Sequence, residues 1–283
     1  MVAPILKYPG AKWRLANWII GYLPDHKVYC EPYFGSGAIY FNKKPAVIET
    51  INDIDQNVVN LFRVIRDHPE ELARLIDFTP WSRTEYRQSK NSVRNGGSYI
   101  NLSGDSIEDA RRFLVRCWQA HSIKTSDVTG WSYRKNEIGA HHTRTWRDIP
   151  DRILVIAQRL KMAQIECLPA ADVIRRHMSP EVLIYADPPY PRDTKSQRLY
   201  ANEMSDDEHI EMLDLLDAHT GPVVLSGYAN ELYDDRLQHW SRQTRLTQAD
   251  SGKSRTEVLW LNPVCVERLQ MPLFERSDDI AGI

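Results

Sequence analysis

The sequence predicts an α/β fold: a mostly parallel sheet with helices on its faces, interrupted by an inserted segment. Three observations predict it. Apolar runs of strand length alternate with amphipathic stretches in both the first and the last parts of the chain. A glycine turn, FGSG, follows the first of these runs, at the strand end where open α/β sheets bind ligands. The alternation stops from about residue 78 to 147 and then resumes. The chain therefore divides into one body made of 1–77 and 148–271, an insert of 78–147 and a flexible tail of 272–283.

The elements follow in order. An amphipathic helix is expected over 13–22, and VYCEPY (28–33) reads as the first strand. AIYFNKK, after the glycine turn, reads as the start of a helix. AVIETI (46–51) is a second strand that enters a polar NDID. In QNVVNLFRVIR (56–66), Val58, Val59, Leu61, Phe62 and Ile65 share one helical face. The insert holds one clear helix, around IEDARRFLVRCWQAHS, among loops rich in Gly, Ser, Asn, Arg and aromatics. After Asp148 come a helix (150–162), the strand QIECL (164–168), a short helix at ADVIRRH and the strand VLIYAD (182–187). Ser205 and Glu208 form a capping box for a helix to about residue 218. PVVLSGY (222–228) and TEVLWLN (256–262) are two more strands, separated by a polar segment carrying Arg242, Arg245, Lys253 and Arg255.

Composition narrows the function. Among 283 residues, 42% are apolar and 26% charged, the balance of a chain with a real core. No apolar run reaches 18 residues, so no membrane span is expected. Lys7 interrupts the N-terminus before a signal-peptide core can form. Cys30, Cys117, Cys167 and Cys265 lie far apart with no CxxC, which points to a reducing compartment without a disulfide framework. A zinc site drawn from Cys117, His121, His141 and His142 fits no standard finger spacing, so no metal is expected. The net charge of −2 excludes a uniformly basic protein but hides a local excess. Residues 81–147 hold 12 Lys and Arg against 6 Asp and Glu.

Five short segments carry the chemistry. Asp187-Pro188-Pro189-Tyr190 ends a buried strand; its prolines remove two backbone donors and stiffen the chain. The Asp187 carboxylate, the Pro188 carbonyl and the flat Tyr190 ring suit a planar ring bearing an amino group. Glu31-Pro32-Tyr33-Phe34-Gly35-Ser36-Gly37 opens a loop where backbone can approach a ligand closely. It lacks a third glycine in register and a Walker lysine, and Phe34 suggests a ligand with a ring portion. Asp53, about 20 residues further on, stands where an acid binds ribose hydroxyls, while Asp55 can cap the next helix. In KYPGAKW, Lys12 offers a cation for a ligand carboxylate and Tyr8 an aromatic wall, or the segment is a plain loop. Asp172 follows the QIECL strand as an adenine-contacting acid or as a helix cap.

In this order the motifs resemble the Dam family of S-adenosylmethionine-dependent DNA adenine-N6 methyltransferases. KYPGAK, EPYFGSG, NDID, an insert and DPPY carry the resemblance, which covers residues 5–66 and 164–262. It implies a Rossmann-like methyltransferase fold with S-adenosyl-L-methionine as cofactor and duplex DNA as partner. It implies that Tyr8, Lys12, Asp53 and Asp172 line the cofactor pocket with the backbone of Glu31, Pro32, Phe34, Gly35, Ser36 and Gly37. Asp187 would sit at the transfer centre, with Pro188 and Tyr190 beside it, and the insert would be the target-recognition region. The family has a second glycine where Ala11 stands and a tryptophan where Tyr8 stands; tyrosine keeps the aromatic face.

A target adenine inside a duplex must flip out, at a cost of a few kcal/mol. Asp187 and the Pro188 carbonyl would then accept its amino hydrogens. Candidate DNA contacts are Arg112, Arg116, Lys124, Trp131, Tyr133, Arg134, Lys135 and Arg144 in the insert, Arg192 and Lys195 after DPPY, and Lys253. The alternatives are cytosine-N4 methylation, RNA adenine methylation and an inactive DNA-binding relative. A serine in place of Asp187 is more usual for the first, and the intact motifs oppose the last. The expected location is the bacterial cytoplasm, at the nucleoid or in a phage-infected cell, as a monomer or a transient dimer on DNA.

Overall fold

A computed structural model describes residues 2–90, 103–122, 129–133, 137–191, 202–248 and 254–271. The first helix, α1 (Ala16–Ile20), turns Ala16 and Ile19 inward and is shorter than its amphipathic stretch. β1 (Val28–Glu31) and β2 (Ile48–Asn52) follow. The helix expected from Ala38 does not form. Turns replace it, with Gly37 N–H donating to Phe34 O at 2.8 Å and Lys43 N–H to Ile39 O at 2.9 Å. The cause is aromatic packing: Phe34 meets Tyr40, Phe41 and Phe62 edge-on, with centroids 4.8–5.9 Å apart. Gly37, at φ 68°, lets the rings close over it; a Cβ there would lie 2.5 Å from Phe34 Cζ.

α2 (Gln56–Asp67) is capped by Asp55, which accepts from Asn57 N, and buries the five apolar residues expected. α3 (Pro69–Asp77) begins on a proline, and its amphipathic pattern is short enough to pass for loop. The insert contributes α4 (Arg83–Gln88), α5 (Ser106–Gln119) and α6 (Glu137–Arg147). Then come α7 (Ile149–Leu160), β3 (Ala163–Glu166), α8 (Ala170–Arg176) and β4 (Val182–Ala186). α9 (Asp206–Asp217) carries the expected Ser205–Glu208 capping box. β5 (Val223–Tyr228), α10 (Glu231–Arg236), β6 (Ser241–Gln248), β7 (Ser254–Leu261) and α11 (Pro263–Gln270) complete the order.

The seven strands form one sheet in the order β3-β2-β1-β4-β5-β7-β6. β3, β2, β1, β4 and β5 pair in parallel, and β7 runs antiparallel between β5 and β6. This is the Rossmann-like arrangement expected, with an antiparallel strand added at one edge. The strand order reverses between β1 and β4, which puts the ligand crevice at the carboxyl ends of those two strands. The polar stretch before β7 supplies the edge strand β6, whose Leu246 is 74% exposed, so hydrophobic patterning did not mark it.

Among the described residues, the insert shares the core of the main body. Phe113, Leu114, Val115 and Trp118 of α5 join the cluster containing Ile5, Phe62 and Ile65, and the Trp118 indole N–H donates to Ile5 O at 2.8 Å. Residues 78–147 are thus anchored on the sheet's own helical layer through α5. The tail at 272–283 lies outside the described residues.

Candidate active site

The carboxyl ends of β1, β2 and β4 surround a cavity of about 490 Å³, within the usual range for a small-molecule or cofactor site. Asn52, at the end of β2, clamps its rim: its amide donates to Pro32 O at 2.9 Å and Leu168 O at 3.1 Å, and its carbonyl accepts from Leu168 N at 2.9 Å. The N-terminal loop is tied to the glycine loop by Trp13 Nε1, which donates to Ser36 Oγ at 3.0 Å. Tyr8, Lys12, Glu31, Pro32, Phe34, Gly35, Ser36 and Asp53 all line this cavity, as does Asp187.

Four expected members, Gly37, Asp172, Pro188 and Tyr190, do not line it. Gly37 is used for packing. Asp172 sits in the first turn of α8, where it pairs with Arg175 at 3.1 Å; Pro169, Ala170 and Ala171 line the wall instead, and Pro169 holds the cap position. Pro188 is buried, and Pro189 borders the cavity in its place. Phe34 borders the cavity but is only 5% exposed, its ring enclosed by aromatic neighbours. The expected ring contact to a ligand is therefore better met by Tyr8, which is half-buried and whose hydroxyl lies 3.4 Å from Asp55 Oδ2.

Burial tunes two of the acids. Asp53 accepts from Gly35 N and from Asp55 N, each at 2.8 Å. Desolvation, helped by the nearby charge of Asp55, still pushes its carboxyl up to about 7. Glu31 is 2% exposed and receives the Tyr29 hydroxyl at 2.7 Å. Burial outweighs that bond and pushes Glu31 up to about 8.

Around Asp187 the structure assembles groups that patterning did not join. Lys12 is 4% exposed. Its ammonium lies 2.8 Å from Asp187 Oδ1 and 3.3 Å from Glu257 Oε1. It also donates to Gly10 O at 3.1 Å and to the Tyr190 hydroxyl. Lys12, expected to face a ligand carboxylate, is thus engaged by two protein carboxylates at the cavity wall. Ser226 Oγ donates to Asp187 Oδ1 at 2.9 Å. Tyr190 is 5% exposed, with its ring centroid 4.3 Å from that of Tyr228, so a base can stack on it only if one of these rings shifts. Ser226, Tyr228 and Glu257 were missed; the available signal was a polar or charged residue inside an apolar strand.

Of the expected DNA contacts, Lys124, Arg134, Lys135, Arg192, Lys195 and Lys253 lie outside the described residues. Arg112 and Arg116 are engaged within the protein. Arg112 Nε bonds Glu108 Oε1 at 2.7 Å, and Arg116 donates to Ser89 O at 3.0 Å while its guanidinium stacks over Phe113. Tyr133 is 59% exposed and stacks on Trp131, which Arg83 covers at 5.1 Å. Arg144 is exposed on α6. Among the described residues, no group of three or more His, Cys, Asp or Glu is placed to hold a metal ion, and no helix is long and apolar enough to cross a membrane.

A family model described as D12 class N6 adenine-specific DNA methyltransferase matches residues 8–249. A Type II methyltransferase of Lactococcus lactis subsp. cremoris, M1.LlaDCHI, is 26% identical over 281 residues, covering 92% of this chain and 95% of that protein. A Streptococcus mutans structure described as a methyltransferase in complex with SAH aligns at a TM-score of 0.35 and 7% identity, over 88% of this chain and 96% of that one.

Proposed function

The chain belongs to the D12 class N6 adenine-specific DNA methyltransferase family and methylates adenine in DNA, and from that premise we propose how its residues do so. Asp187 is the group that orients the adenine amino nitrogen, and S-adenosyl-L-methionine is the methyl donor. The observation that carries this reading is the state of Asp187 Oδ1. Lys12 and Ser226 both reach that oxygen, which directs Oδ2 toward a ligand. An adenine N6–H would donate to Oδ2, and a second N6–H to the backbone of the Pro188-Pro189 turn. Those bonds draw the nitrogen toward sp³ geometry and turn its lone pair into the cavity. Tyr190, held by its hydroxyl, stacks on the flipped base once Tyr228 gives way, for roughly 1–3 kcal/mol.

The donor set fits the cofactor. Asp53 suits ribose hydroxyls, Glu31 would meet the positive charge of the cofactor, and Tyr8 offers a face to the adenine ring. Bound there, the cofactor would supply a sulfonium methyl group, with the C–S bonding pair leaving on sulfur as the N6–C bond forms. Asp187 Oδ2 takes the N6 proton and passes it to solvent. Arg83, Tyr133 and Arg144 present the exposed arginine and aromatic surface for duplex DNA, and the enzyme works in the cytoplasm.

The nucleoside product tests the assignment. DNA methylated by the purified protein, digested and measured by mass spectrometry, is expected to contain N6-methyladenine; N4-methylcytosine alone would overturn it. The buried acids give a second expectation. Asp53 and Glu31 accept and attract most strongly when ionised, and both have raised folded values. Cofactor affinity should therefore rise from roughly pH 6 to pH 9, with protons released on binding. Calorimetry in buffers of different ionisation enthalpy reads both, and Asp53→Asn should flatten the lower part of the rise. A constant affinity over that range would contradict the role of these acids.

A further inference from the structure

Glu257 is a buried carboxylate in the middle of β7, where the polar half of the strand meets the apolar one, and the reaction above leaves it without a role. It lies on β7, 3% exposed, followed by the buried Val258, Leu259, Trp260 and Leu261. Its register partners are Tyr228 on β5 and Arg245 on β6. Burying a carboxylate there costs several kcal/mol unless charge and hydrogen bonds offset it. Two groups do so: the Lys12 ammonium at 3.3 Å and the Tyr190 hydroxyl, which donates to Oε1 at 3.2 Å. Tyr190 in turn accepts from Lys12, so Lys12, Tyr190 and Glu257 close a ring of contacts. Lys12 is also the residue that reaches Asp187 Oδ1.

We propose that Glu257 is a positioning residue for methyl transfer, holding the Lys12 ammonium against Asp187 and fixing the Tyr190 ring through its hydroxyl. This rests on the roles given above to Asp187 and Tyr190. The geometry argues for more than packing. An ammonium facing Asp187 alone would make a neutral pair; a second carboxylate leaves the group with one net negative charge. The adenine nitrogen gains positive charge as its bond to carbon forms, before its proton leaves. A fixed negative charge behind Lys12 stabilises that moment and costs no reorganisation when it arrives. Burial raises Glu257, while Lys12 opposes that shift by favouring the ionised form. Arg245, opposite in register, turns toward Trp18 at 5.9 Å, which leaves Lys12 as the cation in contact with Glu257 among the described residues.

The test compares Glu257→Gln and Glu257→Ala with wild type and Asp187→Asn. Single-turnover methyl transfer, KM for DNA, and cofactor Kd by calorimetry are measured on each. Glu257→Gln keeps the shape and an acceptor for Tyr190 but loses the charge, so transfer should slow about tenfold, and Glu257→Ala about 100-fold. KM and cofactor Kd should stay within about twofold, a split that general destabilisation would not give. Transfer at the wild-type rate in Glu257→Gln, or a raised KM with unchanged kcat, would overturn the inference. If Glu257→Ala fails to fold by near-ultraviolet circular dichroism, Glu257→Gln decides alone. A wild-type enzyme that forms no N6-methyladenine, or an Asp187→Asn enzyme that remains active, would instead sink the underlying reading of the site and this inference with it.

Discussion

Asp187→Asn is expected to slow methyl transfer by about 10²–10³-fold, roughly 3–4 kcal/mol of transition-state stabilisation, with cofactor affinity nearly unchanged. The substitution is nearly isosteric, so the loss comes from charge and polarity. Asp187 presents two acceptors: Oδ1 to Lys12 and Ser226, and Oδ2 to the adenine. Asparagine presents one acceptor and one donor. If its oxygen faces Lys12, its NH₂ meets the incoming adenine N–H, donor against donor. If the amide is flipped, its NH₂ faces the Lys12 ammonium, and a buried cation loses its counter-charge. Neither orientation serves both partners, so Asp187→Ala should be about as slow. Tritium transfer from labelled cofactor in single-turnover conditions reads the rate. An Asp187→Asn enzyme retaining more than a tenth of wild-type kcat would show that orientation of the amino group lies elsewhere.

Much of the parallel body was legible in the sequence because one-dimensional rules apply there. β4 is an uninterrupted apolar run, buried at all five positions. α2 has a clean helical period, and Ser205 and Glu208 cap α9 as their spacing requires. The rules failed where distant residues decide. Residues 38–43 have helical propensity but follow the packing of Phe34, Phe41 and Phe62 around Gly37. β6 has no apolar face because its pairing with β7, in register over eight residues, holds it in place.

The site divides the same way. The glycine loop, Asp53 and Asp187 could be found because each stands at a strand end that topology brings to one crevice. Lys12 could be found, but its role could not. Its partners Glu257 and Tyr190 are 245 and 178 residues away, and no local spacing encodes those contacts. Arg112 and Arg116 show the same limit. A basic helix looks alike whether its arginines face DNA or, as here, Glu108 and Ser89.

The fold also carries a buried ionic group away from the crevice, and breaking it should cause the largest loss of stability. Glu49 on β2 has a side chain with no exposure. Its Oε1 accepts from Lys43 Nζ at 2.6 Å, Arg159 Nη2 at 2.7 Å and Ala46 N at 3.0 Å. Through Arg159 it fastens α7 to the sheet, and through Lys43 it fastens the turns before β2. Glu49→Ala leaves Lys43 and Arg159 buried around a void without a counter-charge, which should cost about 3–5 kcal/mol, or roughly 10 °C in Tm for a chain of this size. Glu49→Gln keeps some bonds and should lose less. Acid should weaken the same group. Burial alone would raise Glu49, but the bonds from Arg159, Lys43 and Ala46 hold it below the ordinary carboxylate value. Its contribution is therefore present above about pH 4.5 and lost as pH falls through the lower folded value. Neighbouring His26, lowered to about 4 by burial and by Lys43, adds a loss that begins earlier, as pH falls below its unfolded value of about 6.5. Urea midpoints should therefore rise from about pH 4 to 6.5 in wild type and Glu49→Gln alike through His26, and below about pH 4.5 should fall more steeply for wild type than for Glu49→Gln. A Glu49→Ala protein with a wild-type midpoint at pH 7 would mean that the charges are solvated rather than paired.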